Sequence, residues 1–192
     1  MPRPSAYNRP VTHRSLAIVA LALAAAAAVA VAEPEPGLGS RGADPLVGQA
    51  PPVADLILVR KSERRLYLMR NGAVLRSFRI ALGLVPDGAK ERAGDFRTPE
   101  GRYRLTRRNA RSDYFLSIQL SYPSDEDRRR ARRNGWDPGG SIMIHGLPNT
   151  PRHPPEYYSS QDWTDGCIAL SNADMVELWM MTQDDTRIEI QP

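Results

Sequence analysis

The sequence predicts a mainly β domain with a few short helices. Short apolar or alternating segments recur along residues 55–121, an Asn71-Gly72 pair separates two of them, and helix start signals occur at only two places. Asn-Gly between two strand-like segments is the strongest short-range signal of a β-hairpin. Together these observations favour about seven short strands with two helices. No internal repeat is present.

The first 32 residues have the pattern of a secretory signal peptide. Residues 1–14 carry three arginines and no acid, residues 16–31 form an alanine-rich apolar run, and residues 30–32 match an A-x-A cleavage site. An uncleaved membrane anchor is the alternative, because the apolar run falls just short of the about 20 residues that span a bilayer. Both interpretations predict that the rest of the chain is exported to the periplasm or cell envelope.

Residues 33–53 are rich in proline and glycine without periodicity, which predicts a linker before a single domain at residues 54–192. Three of the 26 basic residues lie in the leader, which leaves 23 basic against 22 acidic residues. A nearly neutral exported domain is a poor candidate for nucleic-acid binding. We therefore expect no nucleic-acid partner.

Strand-like segments occupy most of the first half of the domain. Each combines apolar, β-branched or aromatic residues with flanking turn residues, as strands do. A charged, glycine-rich loop at residues 84–101 separates the third segment from the fourth. In chain order the segments are DLILVR (55–60), RLYLM (65–69), AVLRSFRIALG (73–83), GRYRLTR (101–107) and FLSIQLS (115–121).

A first helix is predicted after Ser124. This serine can cap the helix, with Asp127 three residues later, and Asn134-Gly135 can end it. Ala131 is the only apolar residue between these signals, so the helix should lie on the surface.

The second half of the domain combines a core strand, a proline-rich loop and a second helix. SIMIH (141–145) is predicted to be a strand, residues 147–163 a loop, and TRIEI (186–190) the last strand. Ser171 is the expected cap of the second helix, with Asp174 at its third position. Its inward side chains should be Met175, Leu178, Trp179 and Thr182.

Cys167 is the only cysteine of the chain and follows Gly166 directly. No disulfide can form within the chain, so the thiol of this exported domain is buried and inert, paired with another chain, or reactive. A thiol becomes a good nucleophile when a neighbouring imidazole can take its proton.

Two histidines could serve as that base. His145 ends the predicted core strand before Gly146, whereas His153 lies in the proline-rich loop, where a surface role is expected. His145 can equally be a core histidine satisfied by backbone groups. A zinc site from both histidines and Cys167 lacks any recognisable ligand spacing, and nothing in the sequence indicates a metal or another cofactor.

Four ordered motifs resemble those of the L,D-transpeptidase catalytic domain, the YkuD family. They are ALG (81–83), GDFRTPEGRY (94–103), IHG (144–146) and TDGCIAL (164–170), and the resemblance covers about residues 54–190. It implies a β-sandwich-like fold in the cell envelope and an enzyme that acts on peptidoglycan stem peptides.

The resemblance also implies roles for individual residues. Cys167 matches the nucleophile that attacks the third residue of a stem peptide and expels D-alanine, and His145 matches its general base. The backbone of Gly166 and Cys167 matches the oxyanion site, and Gly146, Thr164 and Asp165 are expected near the substrate. The thioester would pass to a neighbouring stem, a lipoprotein lysine or a free D-amino acid; with water as the acceptor, the enzyme would be a hydrolase.

Two positions depart from the common family pattern. Asp165 stands where the family usually has histidine, and Ala169 stands where arginine or asparagine is frequent. The G-C-x-A pattern is similar to that of the YafK-like branch of the family. Some members of that branch resemble hydrolases that release lipoprotein from peptidoglycan. We expect Arg97, Arg102 or the arginines of residues 128–133 to offset the charge of Asp165 and to hold stem-peptide carboxylates. A cysteine peptidase of another fold and a non-catalytic envelope-binding domain are the remaining alternatives.

Overall fold

The computed structural model describes residues 51–192, which form eight strands and three helices. The predicted signal peptide or anchor and residues 33–50 of the predicted linker lie outside the described residues. Within the described part, no helix is long and apolar enough to cross a membrane.

The strands are β1 Leu56–Arg60, β2 Arg65–Arg70, β3 Ala73–Arg79, β4 Gly101–Ser112, β5 Phe115–Leu120, β6 Met143–His145, β7 Ile168–Ala169 and β8 Arg187–Gln191. The helices are α1 Asp125–Arg133, α2 Pro155–Ser160 and α3 Asn172–Met181. The prediction of a mainly β domain with short helices is therefore confirmed.

The β2–β3 turn confirms the hairpin predicted at Asn71-Gly72. Both residues have positive φ, 51° and 78°, as the two central positions of a type I′ turn require. Antiparallel pairing joins β1 to β2 and β2 to β3, so the first three strands form a meander.

The eight strands have the order β3-β2-β1-β8-β4-β5-β6-β7. The long strand β4 links two parts of this sheet, because Gly101–Arg104 pair with β8 whereas the half from Leu105 onward pairs with β5. Beyond β3, Ala81 and Ala169 exchange two backbone hydrogen bonds of 2.9 Å. The two ends of the strand order therefore meet beside the cysteine segment.

The core lies between the inward faces of these strands and helix α3. Strands β1, β2 and β8 alternate buried and more exposed residues, which is the period-two pattern of a half-buried sheet. Burying each leucine or isoleucine contributes about 1.5–3 kcal/mol before the opposing entropy is counted. The fully buried side chains include Ile57, Leu66, Leu68, Leu105, Ile118, Leu120, Ile144, Ile168, Met175 and Leu178.

Both predicted helices are present with the caps expected. The hydroxyl of Ser124 accepts from the Asp127 amide and the Asp127 carboxylate accepts from the Ser124 amide, which makes a complete capping box. In α1 only Asp127 and Ala131 are buried, as a surface helix requires. Ser171 caps α3 through the Asp174 amide, and Met181 joins the buried stripe that the sequence predicted.

The segment predicted as a proline-rich loop contains the additional helix α2, Pro155–Ser160. Pro155 occupies the first turn, where its fixed φ fits a helix and its missing N–H has no helical partner to lose. The prolines led to the prediction of a loop, but Pro155 is compatible with the first turn of a helix.

Candidate active site

One pocket of about 540 Å³ contains both Cys167 and His145. Three stretches of the chain line it: the β4–β5 hairpin, the segment that leads into β6 at Ser141–His145, and the turn that carries the cysteine. The pairing of β5 with β6 and of β6 with β7 brings these stretches together. The two residues that sequence reasoning selected for chemistry therefore share one cavity.

His145 is buried at the end of β6 and is oriented by its own neighbour. Its Nδ1 lies 2.7 Å from the Gly146 carbonyl oxygen, which can only accept, so Nδ1 carries the proton. Nε2 is then the basic nitrogen. Burial lowers the pKa of His145 below 6.5, and the hydrogen bond to Gly146 opposes that change. The resting imidazole is therefore neutral and able to accept a proton at neutral pH.

The Cys167 thiol is half-buried and protonated at rest. Burial raises its pKa above 9.0, and the negative charge of Asp165 raises it further. A backbone hydrogen bond from Met143 and the charge of Lys90 oppose these effects. Its Sγ lies 3.8 Å from the carbonyl oxygen of Ser141, to which the thiol donates.

Thr164 and Gly166 shape the turn that presents Cys167. The Thr164 hydroxyl donates to the Cys167 carbonyl over 2.7 Å and accepts from the Gly166 amide over 3.1 Å. Gly166 has φ +127°, and a Cβ at this position would lie 2.6 Å from the carbonyl oxygen of Arg97. No residue with a side chain fits here without moving the backbone.

This geometry changes the role expected of the Gly166 backbone. Its amide already donates to the Thr164 hydroxyl, so it is not a free donor for an oxyanion. The Cys167 amide is the remaining donor of the pair that the sequence suggested. In this structure the Thr164 hydroxyl holds the turn, and a contact of Thr164 with a substrate stays a prediction.

Gly146 also has a packing role that differs from the expected one. A Cβ there would lie 2.6 Å from Asn172 Oδ1 and 3.0 Å from the Phe115 Cβ. The Asn172 side chain accepts from the Leu147 amide over 2.8 Å and thereby ties the segment after β6 to the start of α3. The absent side chain makes room for this contact, and a role of Gly146 beside a substrate stays a prediction.

A loop behind the cysteine turn, residues 84–100 and here called the back loop, is held by two buried lysines. Lys61 Nζ donates to the Gly88 carbonyl at 2.7 Å and to Glu100 Oε1 at 2.6 Å. Lys90 Nζ lies 2.6 Å from Asp95 Oδ1, with side chains only 4% and 9% exposed. Asp95 also accepts three backbone amides of the same loop, which fixes its path.

Asp165 is not brought together with any of the arginines expected to balance it. Those of residues 128–133 do not line the pocket, and Arg130 pairs with Asp127 over 2.6 Å. Asp165 is exposed and lines the pocket, without an ion pair to any residue of the range 51–192. The Arg97 side chain pairs with Glu91 over 3.7 Å, and Arg102 is 86% exposed and faces Glu189. Neither arginine side chain lines the pocket with Cys167. These arginine side chains are therefore not placed to offset the charge of Asp165 here, and a role in holding stem-peptide carboxylates stays a prediction.

Several pocket residues were missed by sequence reasoning. Arg111, Tyr114 and Trp163 all line the cavity, and the ring centroid of Tyr114 lies 4.6 Å from that of His145. Arg111 lies beyond residue 107, where the fourth predicted strand ends, in the part of β4 that the sequence did not indicate. No short motif marks this position, which follows from the extension of β4 to Ser112.

His153 lies outside this pocket and stacks on Tyr157 with ring centroids 4.1 Å apart. Of the three residues considered for zinc, His145 and Cys167 share a pocket and His153 does not reach it. Across residues 51–192 no group of three or more histidine, cysteine, aspartate or glutamate residues is arranged to hold a metal ion.

Similarity to known proteins agrees with this architecture. Pgp2, the helical cell shape determining protein from Campylobacter jejuni, superposes with a TM-score of 0.52 at 27% identity, over 71% of this chain and 48% of Pgp2. Bd1075 of Bdellovibrio bacteriovorus superposes with a TM-score of 0.50 at 23% identity, over 72% of this chain and 48% of that protein. The second likeness concerns the fold alone.

Sequence similarity is more local. The putative L,D-transpeptidase YafK of Escherichia coli (strain K12) is 38% identical over 61 residues, which are 31% of this chain and 23% of YafK. The chain thus spans less than a quarter of that relative in the matched region. The profile of the L,D-transpeptidase catalytic domain, YkuD, by contrast matches residues 54–190. Since that match covers nearly the whole described domain, the chain belongs to the L,D-transpeptidase catalytic domain family.

Proposed function

We propose that this protein is a cysteine-dependent L,D-transpeptidase of peptidoglycan stem peptides, exported to the cell envelope. The observation that carries the proposal is the shared pocket of Cys167 and His145, in which the imidazole is neutral and its Nδ1 is bound to Gly146. This arrangement leaves Nε2 as a base within the cavity that contains the thiol. Family membership supports the choice of substrate class.

The first half-reaction transfers an acyl group to sulfur. His145 Nε2 takes the thiol proton while Cys167 Sγ forms a bond to the carbonyl carbon of the third stem residue. The Cys167 amide is placed to donate to the oxyanion that forms. As the C–N bond breaks, the imidazolium returns its proton to the departing amine of D-alanine, which leaves a thioester.

The second half-reaction returns the enzyme to its starting state. An amine of a neighbouring stem attacks the thioester, His145 takes its proton, and the thiolate leaves and is protonated again. Peptide-bond energy is retained in the thioester, so the exchange proceeds without ATP. A lipoprotein lysine or a free D-amino acid would react in the same way.

The resting thiol must change partner before it reacts. Sγ donates to the Ser141 carbonyl at 3.8 Å, and no hydrogen bond joins it to His145 within residues 51–192. Hydrogen bonds of a catalytic pair are frequently long in the unliganded state and tighten when substrate binds. We propose that a stem peptide in the pocket displaces the thiol from Ser141 towards the imidazole.

Hydrolysis is the second candidate, and the Asp165 and Ala169 replacements are the observations that favour it. If water replaces the amine as the acceptor, the same thioester is hydrolysed. The enzyme is then an L,D-carboxypeptidase or a hydrolase of a lipoprotein link. The acceptor is what separates the two functions, since the acyl-enzyme is common to both.

The test uses a tetrapeptide muropeptide, with and without an added acceptor amine such as a free D-amino acid. Mass spectrometry should detect D-alanine release and an exchanged product that requires the amine. Release without exchange would identify a hydrolase. Cys167→Ser and His145→Gln should both lose turnover while keeping the folded near-UV spectrum. A folded wild-type domain that turns over no muropeptide would instead indicate a non-catalytic binding domain.

A further inference from the structure

We propose that a second pocket binds a pyranose ring of the glycan strand that carries the stem peptide. It adjoins the pocket that contains Cys167 and His145, here called the reactive pocket. This second, aromatic pocket comprises Tyr114, His153, Tyr157, Tyr158 and Trp163 with a polar rim. The inference rests on the proposed function, because it assumes a stem-peptide substrate. It adds a sugar-binding subsite to an enzyme otherwise described only by its peptide chemistry.

The aromatic pocket and the reactive pocket share a wall. Asp113, Tyr114 and Trp163 line both cavities, and the aromatic pocket measures about 480 Å³. That volume lies within the about 300–1,000 Å³ typical of small-ligand sites. A substrate held in the reactive pocket could therefore extend directly into the second one.

A continuous series of rings leads from the catalytic imidazole to the outer end of the aromatic pocket. Ring centroids are 4.6 Å apart for His145 and Tyr114, 6.2 Å for Tyr114 and Trp163, and 5.1 Å for Trp163 and Tyr158. Tyr158 and Tyr157 follow at 5.5 Å. Flat ring faces offer large apolar area at low entropic cost, and the apolar C–H face of a pyranose packs on such faces.

The rim of the aromatic pocket supplies the polar groups that sugar hydroxyls require. Asp113 and Arg152 are both exposed there, and neither forms an ion pair with any residue of the range 51–192. A sugar hydroxyl is both donor and acceptor, so it can bind a carboxylate or a guanidinium.

The pocket is built before any ligand arrives. The Tyr158 hydroxyl accepts from the Arg152 amide at 2.9 Å and from the His153 amide at 3.3 Å, which ties α2 to the loop before it. His153 stacks on Tyr157 across the same turn. The ring faces are thus fixed in advance, which lowers the entropic cost of binding.

The chemistry of the substrate favours a sugar over more peptide in this pocket. A stem peptide consists of small and charged residues, which leaves aromatic faces without a matching side chain. The amino sugar lies at the start of the stem, and three extended residues reach at most about 11 Å. A sugar attached to a stem whose third residue lies at Cys167 is therefore within reach of the neighbouring pocket.

The test compares two substrates, a free tetrapeptide and the same tetrapeptide attached to its disaccharide. In the wild type, kcat/KM should be higher for the disaccharide form by on the order of threefold to tenfold, as expected for one or two aromatic stacking contacts. That ratio should fall towards one in Tyr157→Ala. It should be retained in Tyr157→Phe, which keeps the ring face, and in Met180→Ala, which changes an exposed side chain outside both pockets.

A second measurement separates failure of this inference from failure of the proposed function. Binding of a peptide-free N-acetylglucosamine oligomer to the intact chain is followed by calorimetry, with loss of binding expected in Tyr157→Ala. A ratio of one in the wild type, or a ratio unchanged in Tyr157→Ala, would overturn the sugar site and leave the transpeptidase proposal standing. If neither peptide substrate reacts, the proposed function fails, and binding of the oligomer then tests the sugar site separately. The sugar site is overturned if the oligomer does not bind or if it binds Tyr157→Ala as well as the wild type.

Discussion

The two sides of the reactive pocket are built in different ways. Behind Cys167, the buried Lys90–Asp95 ion pair holds the back loop. The cysteine turn is held by the two hydrogen bonds of the Thr164 hydroxyl and by the close packing of Gly166, which admits no side chain. On the other side, the segment 147–163, here called the aromatic segment, is largely exposed and is held by a tyrosine hydroxyl and stacked rings. One side is a fixed support, and the other is a surface available to ligands.

This difference indicates how chemistry and recognition are divided. The position of Cys167 depends on buried groups whose loss leaves a charge or a hydrogen-bonding group unsatisfied, which costs several kcal/mol. The aromatic segment contributes rings whose loss should change substrate preference and leave the fold in place. Substitutions on the two sides should therefore separate stability from selectivity.

The largest difference is expected between Lys90→Met and Arg152→Met. Removing the buried Lys90 ammonium leaves the Asp95 carboxylate without its ion-pair partner and should cost about 3–5 kcal/mol of unfolding free energy. Removing the exposed Arg152 guanidinium should cost no more than about 0.5 kcal/mol. Urea denaturation of both variants provides the measurement, and equal losses would contradict the contrast between the two sides.

Two glycine substitutions test the cysteine turn. Gly166→Ala should lose about 1–3 kcal/mol through backbone strain alone and should also reduce turnover, because the Cβ would meet the Arg97 carbonyl. Gly72→Ala is the matched control, since it also has positive φ, +78°, but no neighbouring atom lies within 4 Å. Its loss should be confined to the strain of the hairpin turn. Turnover lost equally in both variants would show that the contact behind Cys167 has no special role.

The thiol pKa should respond to the carboxylate on the same turn. Because burial and Asp165 both raise the pKa of Cys167, less thiolate is present at neutral pH, and the alkylation rate with iodoacetamide should reach its midpoint only above pH 9.0. Asp165→Asn removes one of these effects and should move the alkylation midpoint to lower pH. Asp113→Asn, on the wall shared with the aromatic pocket, should leave the midpoint in place. The single cysteine makes the assay specific.

The smallest effect is expected in the aromatic segment. Tyr158→Phe removes the acceptor of two backbone amides, so the segment should be cut faster by a protease, with a global stability loss of about 1 kcal/mol or less. Tyr157→Phe is the control, because the Tyr157 hydroxyl makes no hydrogen bond among the described residues. Equal protease resistance in both variants would show that the Tyr158 hydroxyl does not hold the aromatic segment.

The elements that carried local signals were predicted well from the sequence. Asn71-Gly72 marked a hairpin, and Ser124 and Ser171 marked helix starts, because turn and cap chemistry depends on a few consecutive residues. Cys167 and His145 were identified from ordered motifs, and the sheet brings them to one pocket. Helix α2 was missed because proline is compatible with both a loop and a first helical turn.

The rest of the site depends on pairing between distant strands. Arg102 was expected near the substrate but lies in the half of β4 that pairs with β8, whereas Arg111 lies beyond the point where β4 changes partner. No local signal marks that change. Trp163 and Tyr114 meet only because the β4–β5 hairpin and the aromatic segment fold over the same cavity. Such positions follow from topology and not from any short motif.

The central claim is that Cys167 is a nucleophile for which His145 acts as the base. It is tested most directly by incubating the folded domain with a carbapenem, whose strained lactam carbonyl acylates a reactive thiol, and by following the intact mass and the modified peptide over time. We expect one adduct, on Cys167, that forms at least about 100-fold more slowly in His145→Gln. An unmodified wild-type domain, or an adduct that forms at the same rate without His145, would contradict it.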